Sequence, residues 1–193
     1  GIYKRQVLSQ QNYSSETLPY KRGDILDRDG NTLATSQKMY TLVLEPKNIL
    51  RSEEVQKSTI DALHKYMKLD EDKLLKFIKR HKDSYYSVYR EELSYSQIAD
   101  LKDFIASDKA ENVSGIVFNE KYKRRYPNQS LASQVIGFVS DGMIGTGGIE
   151  QYYNSTLSGV DGRKYKYLNE ELEQDSSIVE PENGKTVVTT IDS

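Results

Sequence analysis

The 193-residue chain contains no cysteine, no tryptophan, two histidines and four prolines, and these shortages exclude several functions. Without cysteine there can be no disulfide, no thiol nucleophile and no cysteine-ligated metal. His64 and His81 both fall in lysine-rich helical segments, where a solvated histidine is more common than a catalytic base. A zinc site would need carboxylates brought from elsewhere in the chain. The sequence therefore predicts neither a metal site nor a cofactor.

Long apolar runs and an excess of charge of one sign are also missing. No stretch approaches the roughly 18 apolar residues that span a bilayer, and the first residues are not expected to be a signal peptide. The 27 basic and 29 acidic residues leave a formal net charge of −2, which creates no field to attract nucleic acid. Nucleic acid is therefore not an expected partner. The absence of cysteine is compatible with the cytosol or with a bacterial surface, and fits the exterior slightly better. If the protein is external, a targeting segment would have been removed.

Hydrophobic periodicity predicts a partly helical region between two extended ones. Residues 1–21 are polar and mixed, so we expect a stalk or an irregular lead-in there. Strands are predicted at 38–46, 84–93 and 113–122, and helices are predicted to begin at Ser52, Asp70 and either Ser94 or Ser96. Residues 45–112 are accordingly expected to form a small α/β lobe, inserted between residues 22–44 and residues 113–193.

The last third of the chain is rich in glycine. Six of the chain's 12 glycines lie between residues 142 and 162, where the backbone needs positive φ angles or close approaches. An apolar stripe at helical spacing (Ile149, Tyr152, Tyr153 and Leu157) indicates folded structure there and not a linker. Residues 163–172 and 185–192 are then predicted to form a hairpin and a strand.

Several motifs fit single segments poorly. A calcium loop counted from Asp27 would place Thr32 where glycine is required and Lys38 where glutamate is required. Residues 22–24 read RGD, a tripeptide that recurs by chance. The glycines at 142–148 are not followed by the Gly-Lys-Ser/Thr of a phosphate loop. The basic residues at 121–126 could bind phosphate, but a solvated or salt-bridged face is the commoner explanation.

Three sequence-distant segments carry groups of signature residues. The first, at 22–34, carries the signature residues Arg22, Gly23, Ile25, Asp27, Arg28, Gly30, Leu33 and Ala34. The second, at 124–139, carries Arg124, Tyr126, Pro127, Ala132 and Gly137. The third, at 145–162, carries Gly145, Gly148, Ile149, Glu150, Tyr153, Leu157, Gly159 and Gly162. In this order, the three segments together resemble the signatures of the class B penicillin-binding proteins.

The resemblance implies an α+β fold: an elongated pedestal of extended segments and short sheets, built from the three sequence-distant motifs, with an inserted small α/β head lobe. Arg22 and Arg28 would then need anionic partners, for which Glu150 and Asp27 are candidates, since a partly buried guanidinium is tolerated only when paired. Gly23 and Gly30 would allow turns on either side of a short strand at 24–28, with a tight turn at 28–31.

The resemblance also implies a function without catalysis. Penicillin-binding transpeptidases act through Ser-x-x-Lys, Ser-x-Asn and Lys-Thr-Gly elements. No serine of this chain has lysine three positions later, and Lys185 and Thr186 are followed by Val187. The chain is therefore expected to be the pedestal, or dimerisation region, that positions a C-terminal transpeptidase domain lying beyond residue 193.

The partners and location follow from the same resemblance. The expected partners are that transpeptidase domain, a polytopic membrane glycosyltransferase, other cell-wall synthesis proteins and a second copy in a homodimer. The expected location is the outer face of the bacterial cytoplasmic membrane, with a transmembrane anchor preceding residue 1. Two alternatives stay open at this point. One is a stand-alone extracytoplasmic interaction module; the other is an enzyme that uses the carboxylates of Asp141 and Glu150.

Overall fold

The computed structural model describes residues 14–128, 134–168 and 174–192, and backbone contacts divide the chain into two compact units. Unit 1 comprises residues 1–37 and 122–193, and unit 2 comprises residues 38–121. Both boundaries fall inside strands, whereas hydrophobic periodicity places the inserted lobe at 45–112. Helices and strands are both present, so the predicted α+β class is confirmed. Among the described residues, no helix is long and apolar enough to cross a membrane.

Unit 2 packs helices against a small sheet. Its strands are β3 (Thr32–Leu44, entered from unit 1), β4 (Ser87–Leu93) and β5 (Ile116–Arg125, which continues into unit 1). Its helices are α1 (Pro46–Ile49), α2 (Glu53–Met67), α3 (Glu71–Arg80) and α4 (Tyr95–Ile105), followed by a 3₁₀ turn at Asp108–Ala110. Strand β3 pairs antiparallel with β4, with Tyr40 opposite Leu93, and β5 also pairs with β3.

The helices of unit 2 begin where polar side chains cap them. The Ser52 hydroxyl accepts a hydrogen bond from the Val55 amide at 3.2 Å, and the Asp70 carboxylate accepts one from the Lys73 amide at 2.8 Å. Each bond satisfies a backbone donor that the first helical turn leaves without a partner. Ser94 begins α4, so the predicted helix starts are confirmed. Helix faces and strands enclose one apolar core that includes Leu42, Leu63, Leu74, Ile98 and Leu101.

Unit 1 contains short strands and short helices. They are β1 (Ser14–Leu18), β2 (Ile25–Leu26), β6 (Phe138–Ser140), β7 (Ile144–Thr146), α5 (Gly148–Tyr152), α6 (Asn154–Leu157), β8 (Gly162–Leu168), β9 (Gln174–Val179) and β10 (Val187–Val188). Strand β8 lies between β1 and β9 and is antiparallel to both. A hairpin is present but extends beyond the predicted 163–172: β8 is its first strand, β9 its second, and residues 169–173 between them lie outside the described ranges. Strand β2 pairs antiparallel with β3 and parallel with β10.

One local prediction for unit 1 is wrong. Residues 14–18 are not irregular but form β1, because β8 supplies a pairing edge that the local sequence cannot reveal. The apolar stripe at 149–157 lies in and between α5 and α6, as expected of folded structure, but its residues are unequally buried. Tyr152 is 79% exposed and Tyr153 40% exposed, since the chain breaks between α5 and α6 and turns the two tyrosines outward. Leu157 alone of the four is fully buried, in a small core with Ile25.

Candidate functional site

A buried polar cluster in unit 1 joins the three signature segments. Arg22 precedes β2, Arg124 lies near the end of β5, and Glu150 lies on α5. Their exposed fractions are 0%, 7% and 0%. Charged side chains are rarely buried unless they are paired. The contacts of each residue therefore decide what this cluster does.

The Arg22 guanidinium has an acceptor for each of its nitrogens. Its Nε donates to Glu150 Oε2 at 2.8 Å, and its Nη2 donates to the Glu150 carbonyl at 2.9 Å. Nη1 is within hydrogen-bonding distance of the Met143 carbonyl at 3.1 Å, Asn154 Oδ1 at 2.9 Å and Ser158 Oγ at 3.0 Å. Arg22 thus connects the start of unit 1 to α5, α6 and the β6–β7 hairpin.

Arg124 approaches the same carboxylate from the other side. Its Nε donates to Glu150 Oε1 at 2.7 Å. Its Nη1 contacts the Gly23 carbonyl at 2.8 Å, Ser36 Oγ at 3.0 Å and, more distantly, the Arg22 carbonyl at 3.4 Å. Its Nη2 is buried and has no hydrogen-bond partner among the described residues. Arg124 therefore ties β5 to both the first signature segment and the third.

Glu150 is fully engaged. Oε2 accepts from Arg22, and Oε1 accepts from Arg124 and, at 3.2 Å, from the Tyr126 hydroxyl. Burial, followed by the negative charge of Glu150, raises the pKa of Tyr126 to about 12, so this phenol stays protonated and donates. A carboxylate enclosed in this way has no free oxygen for a substrate. Its role is to orient three segments by charge-assisted hydrogen bonds.

The partner expected for Arg28 is corrected by the structure. Of the two arginines, only Arg22 bonds to Glu150, whereas Arg28 is half-exposed and pairs with Asp192. Asp27 is buried, and its carboxylate accepts from the Asp29 amide at 2.9 Å and the Asn31 amide at 2.8 Å. Asp27 thus stabilises the predicted tight turn by accepting these two hydrogen bonds. The turn ends β2 at Leu26, so the strand is shorter than the predicted 24–28.

Signature glycines mark close approaches between backbones. A Cβ on Gly23 would lie 1.9 Å from the Lys185 carbonyl oxygen, so Gly23 serves a backbone contact and not the predicted turn. Gly30 has a φ of +85° and open space around it, as the tight turn requires. An added Cβ would approach backbone within 2.0–2.3 Å at Gly137, Gly148, Gly159 and Gly162.

The other signature residues lie outside the cluster. Pro127 is exposed, and Tyr153 contacts only the neighbouring Tyr152 ring among the ring contacts of the described residues, at 4.8 Å between centroids. Ala132 falls outside the described residues.

Sequence reasoning missed part of the cluster. Arg124 belongs to the second signature, but its bond to Glu150 was not expected, and neither were the contacts of Ser36, Asn154 and Ser158 with the arginines. A signal was present at the end of β5, where Tyr122 and Arg124 alternate with Lys123 and Arg125 and so share one face, and the same alternation reaches Tyr126 just beyond the strand. Arg124 is the buried member of the basic segment, whereas Arg125 is exposed.

The remaining chemical candidates do not converge. His64 and His81 both lie in unit 2, where each ring Nδ1 is bonded to a backbone carbonyl. Asp141 is exposed in the β6–β7 turn, while Glu150 is enclosed by its arginines. Within the described ranges, no three histidine or acidic side chains come together as a metal site. Arg22 of the RGD tripeptide is buried, so that tripeptide is not displayed as a surface ligand.

Comparison with known proteins finds matches to one family. The family model described as the penicillin-binding protein dimerisation domain matches residues 17–189. A peptidoglycan D,D-transpeptidase FtsI of Buchnera aphidicola is 27% identical over 175 residues, which cover 89% of this chain and 30% of that protein. The chain therefore spans about a third of the length of the curated relatives it matches.

Solved structures share the fold. Penicillin-binding protein 2X of Streptococcus thermophilus matches with a TM-score of 0.67 at 22% identity, covering 91% of this chain and 29% of that one. A penicillin-binding protein, PBP2, of Helicobacter pylori, solved in complex with MreC, matches with a TM-score of 0.54 at 22% identity, covering 91% of this chain and 35% of that one.

Proposed function

The chain belongs to the penicillin-binding protein dimerisation domain family, and from that premise we propose that it positions a peptidoglycan D,D-transpeptidase domain relative to the membrane. Its role in this proposal is mechanical and not catalytic. The transpeptidase activity itself belongs to the longer proteins that the chain resembles over about a third of their length.

The contacts of Glu150 carry this proposal. One carboxylate binds Arg22 of the first signature and Arg124 of the second, while Glu150 itself belongs to the third. A spacer must hold its segments in one geometry, and charge-assisted hydrogen bonds from two planar guanidinium groups restrict both distance and orientation. The enclosure of all three side chains supports a structural role for the signature residues.

The proposal includes location and partners. We place the chain at the outer face of the bacterial cytoplasmic membrane, where it contacts a polytopic glycosyltransferase and other cell-wall synthesis proteins, and where a second copy is a further partner. The Helicobacter pylori structure, in which PBP2 is bound to MreC, supports the idea that proteins of this fold form such complexes.

The test uses the parent protein that contains this segment and its transpeptidase domain. Glu150→Ala is expected to lower peptidoglycan cross-linking while acylation by a fluorescent penicillin continues, because the substitution disturbs the spacer and not the active site. Asp141→Ala removes an exposed carboxylate and is the control. Unchanged cross-linking in the Glu150 variant would contradict the positioning role, as would acylation of the isolated chain by penicillin.

Self-association is tested separately by sedimentation equilibrium of the chain over a wide concentration range. A concentration-dependent dimer would support the homodimer, whereas a monomer throughout would limit the partners to other proteins.

The rival proposal, an interaction module with no enzyme, is decided by the gene, since a Ser-x-x-Lys element downstream in the same reading frame would exclude it.

A further inference from the structure

The buried cluster in unit 1 has an unbalanced charge. It contains the guanidinium groups of Arg22 and Arg124 but only one carboxylate, that of Glu150. A guanidinium is not deprotonated in proteins, so the cluster carries a formal charge of +1. Burying an unbalanced charge is costly, because the low-dielectric interior does not replace the hydration that the ion loses.

One atom of the cluster, Arg124 Nη2, has no hydrogen-bond acceptor among the described residues, in a cluster that also lacks one negative charge. Every nitrogen of Arg22 has an acceptor, and both oxygens of Glu150 are occupied. Nη2 of Arg124 is buried, and no described residue accepts a hydrogen bond from it. Buried polar groups in folded proteins are almost always hydrogen-bonded, so this atom calls for an acceptor that the described side chains do not supply.

Neighbouring groups do not supply the second negative charge. The Tyr126 hydroxyl bonds to Glu150, but burial raises its pKa to about 12, so the phenol stays protonated and neutral. The Asp24 carboxylate accepts from the Thr35 hydroxyl at 2.7 Å and lies 3.8 Å from the Lys21 ammonium. Among the described residues, neither buried guanidinium has a second carboxylate partner.

We propose that Arg124 Nη2 binds a small monovalent inorganic anion of the size of chloride, which completes the charge balance of the cluster. One negative charge is what the cluster requires, so sulfate and other divalent anions would overcompensate. A small ion is required because Arg124 is only 7% exposed. As a result, chloride binding stabilises the folded state of unit 1. This inference goes beyond the positioning role and does not depend on it.

The test measures unfolding by urea at constant ionic strength while chloride is replaced stepwise by the larger anion methanesulfonate. A single site in the folded state predicts that, above the dissociation constant, each tenfold rise in chloride raises the folding equilibrium constant about tenfold. Arg124→Gln should abolish this dependence. Arg125→Gln removes an exposed neighbouring arginine that donates to Gln37, and should preserve it.

A second measurement stands if Arg124→Gln does not fold. The chloride NMR line should broaden in the presence of the wild-type chain, and bromide should reverse the broadening by competition. Absence of both the stability dependence and the line broadening would overturn the proposal. An equal chloride dependence in Arg124→Gln would also overturn it. A stronger stabilisation by sulfate than by chloride would do the same, because a greater effect of sulfate reflects exclusion of salt from the protein surface. None of these readouts involves peptidoglycan.

Discussion

Replacing Glu150 by alanine should destabilise unit 1 strongly. Three donors would lose their acceptor: Arg22 Nε, Arg124 Nε and the Tyr126 hydroxyl. At about 1.5–3 kcal/mol for each hydrogen bond to a charged group, a simple sum gives about 4.5–9 kcal/mol. The sum overstates the loss because bonds to one carboxylate are coupled. Breaking a buried ion pair typically costs about 3–5 kcal/mol, and we expect a loss in the upper part of that range.

Such a loss is large for a domain whose whole stability is typically about 5–15 kcal/mol. Urea unfolding followed by far-ultraviolet circular dichroism measures it, since the chain has no tryptophan to report by fluorescence. Amide hydrogen exchange shows where the structure is weakened. The backbone amide of residue 150 bonds to the Ile136 carbonyl within unit 1, and it should lose its protection from exchange in the variant. Asp141→Ala, a change at the surface, should stay within about 0.5 kcal/mol. A loss below about 1 kcal/mol in Glu150→Ala would refute the reasoning, because a buried pair cannot cost so little to break.

Three further outcomes follow from individual contacts. Gly23→Ala should lower the free energy of unfolding in urea more than Gly30→Ala does. The Gly23 change places a methyl 1.9 Å from a backbone oxygen, whereas the methyl at Gly30 meets open space and adds only the strain of the left-handed backbone, about 1–2 kcal/mol. Asp70→Ala should destabilise unit 2 by about 1 kcal/mol through loss of its helix cap, and an unchanged midpoint would contradict the role of that bond. The raised pKa of Tyr126 adds stability below pH 10 that is lost as the pH rises towards 12. Tyr126→Phe should therefore reduce the fall in the free energy of unfolding between pH 10 and 12. A parallel fall in both proteins would show that other groups cause the decline.

Local signals predicted the helices of unit 2 well. Ser52 and Asp70 cap helices by bonding to amides three residues later, so the whole determinant lies within one turn of chain. The tight turn after β2 is local for the same reason, because Asp27 bonds to the amides of Asp29 and Asn31. Where cause and effect are this close in the chain, sequence pattern is sufficient.

Predictions failed where the determinant is distant. Strand β1 exists because β8 pairs with it, and Ser15 lies opposite Tyr165, far along the chain. The same limit applied to the cluster. Family resemblance identified Arg22, Arg124 and Glu150 as signature residues, but only the structure shows that both arginines share one carboxylate. The choice between Arg22 and Arg28 as the buried partner depends on packing that periodicity does not record.

The pairing of β2 with β10 determines when unit 1 can fold during synthesis. Unit 2 is one uninterrupted stretch and can form as soon as residue 121 leaves the ribosome. Strand β2 must wait, since the Thr189 hydroxyl that bonds to the Leu26 carbonyl lies 163 residues later. At about 5–20 residues per second, translation leaves that edge unpaired for about 10–30 s. Unit 2 can therefore be complete before unit 1, and the edge of β2 that pairs with β10 is protected late although β2 is synthesised before unit 2.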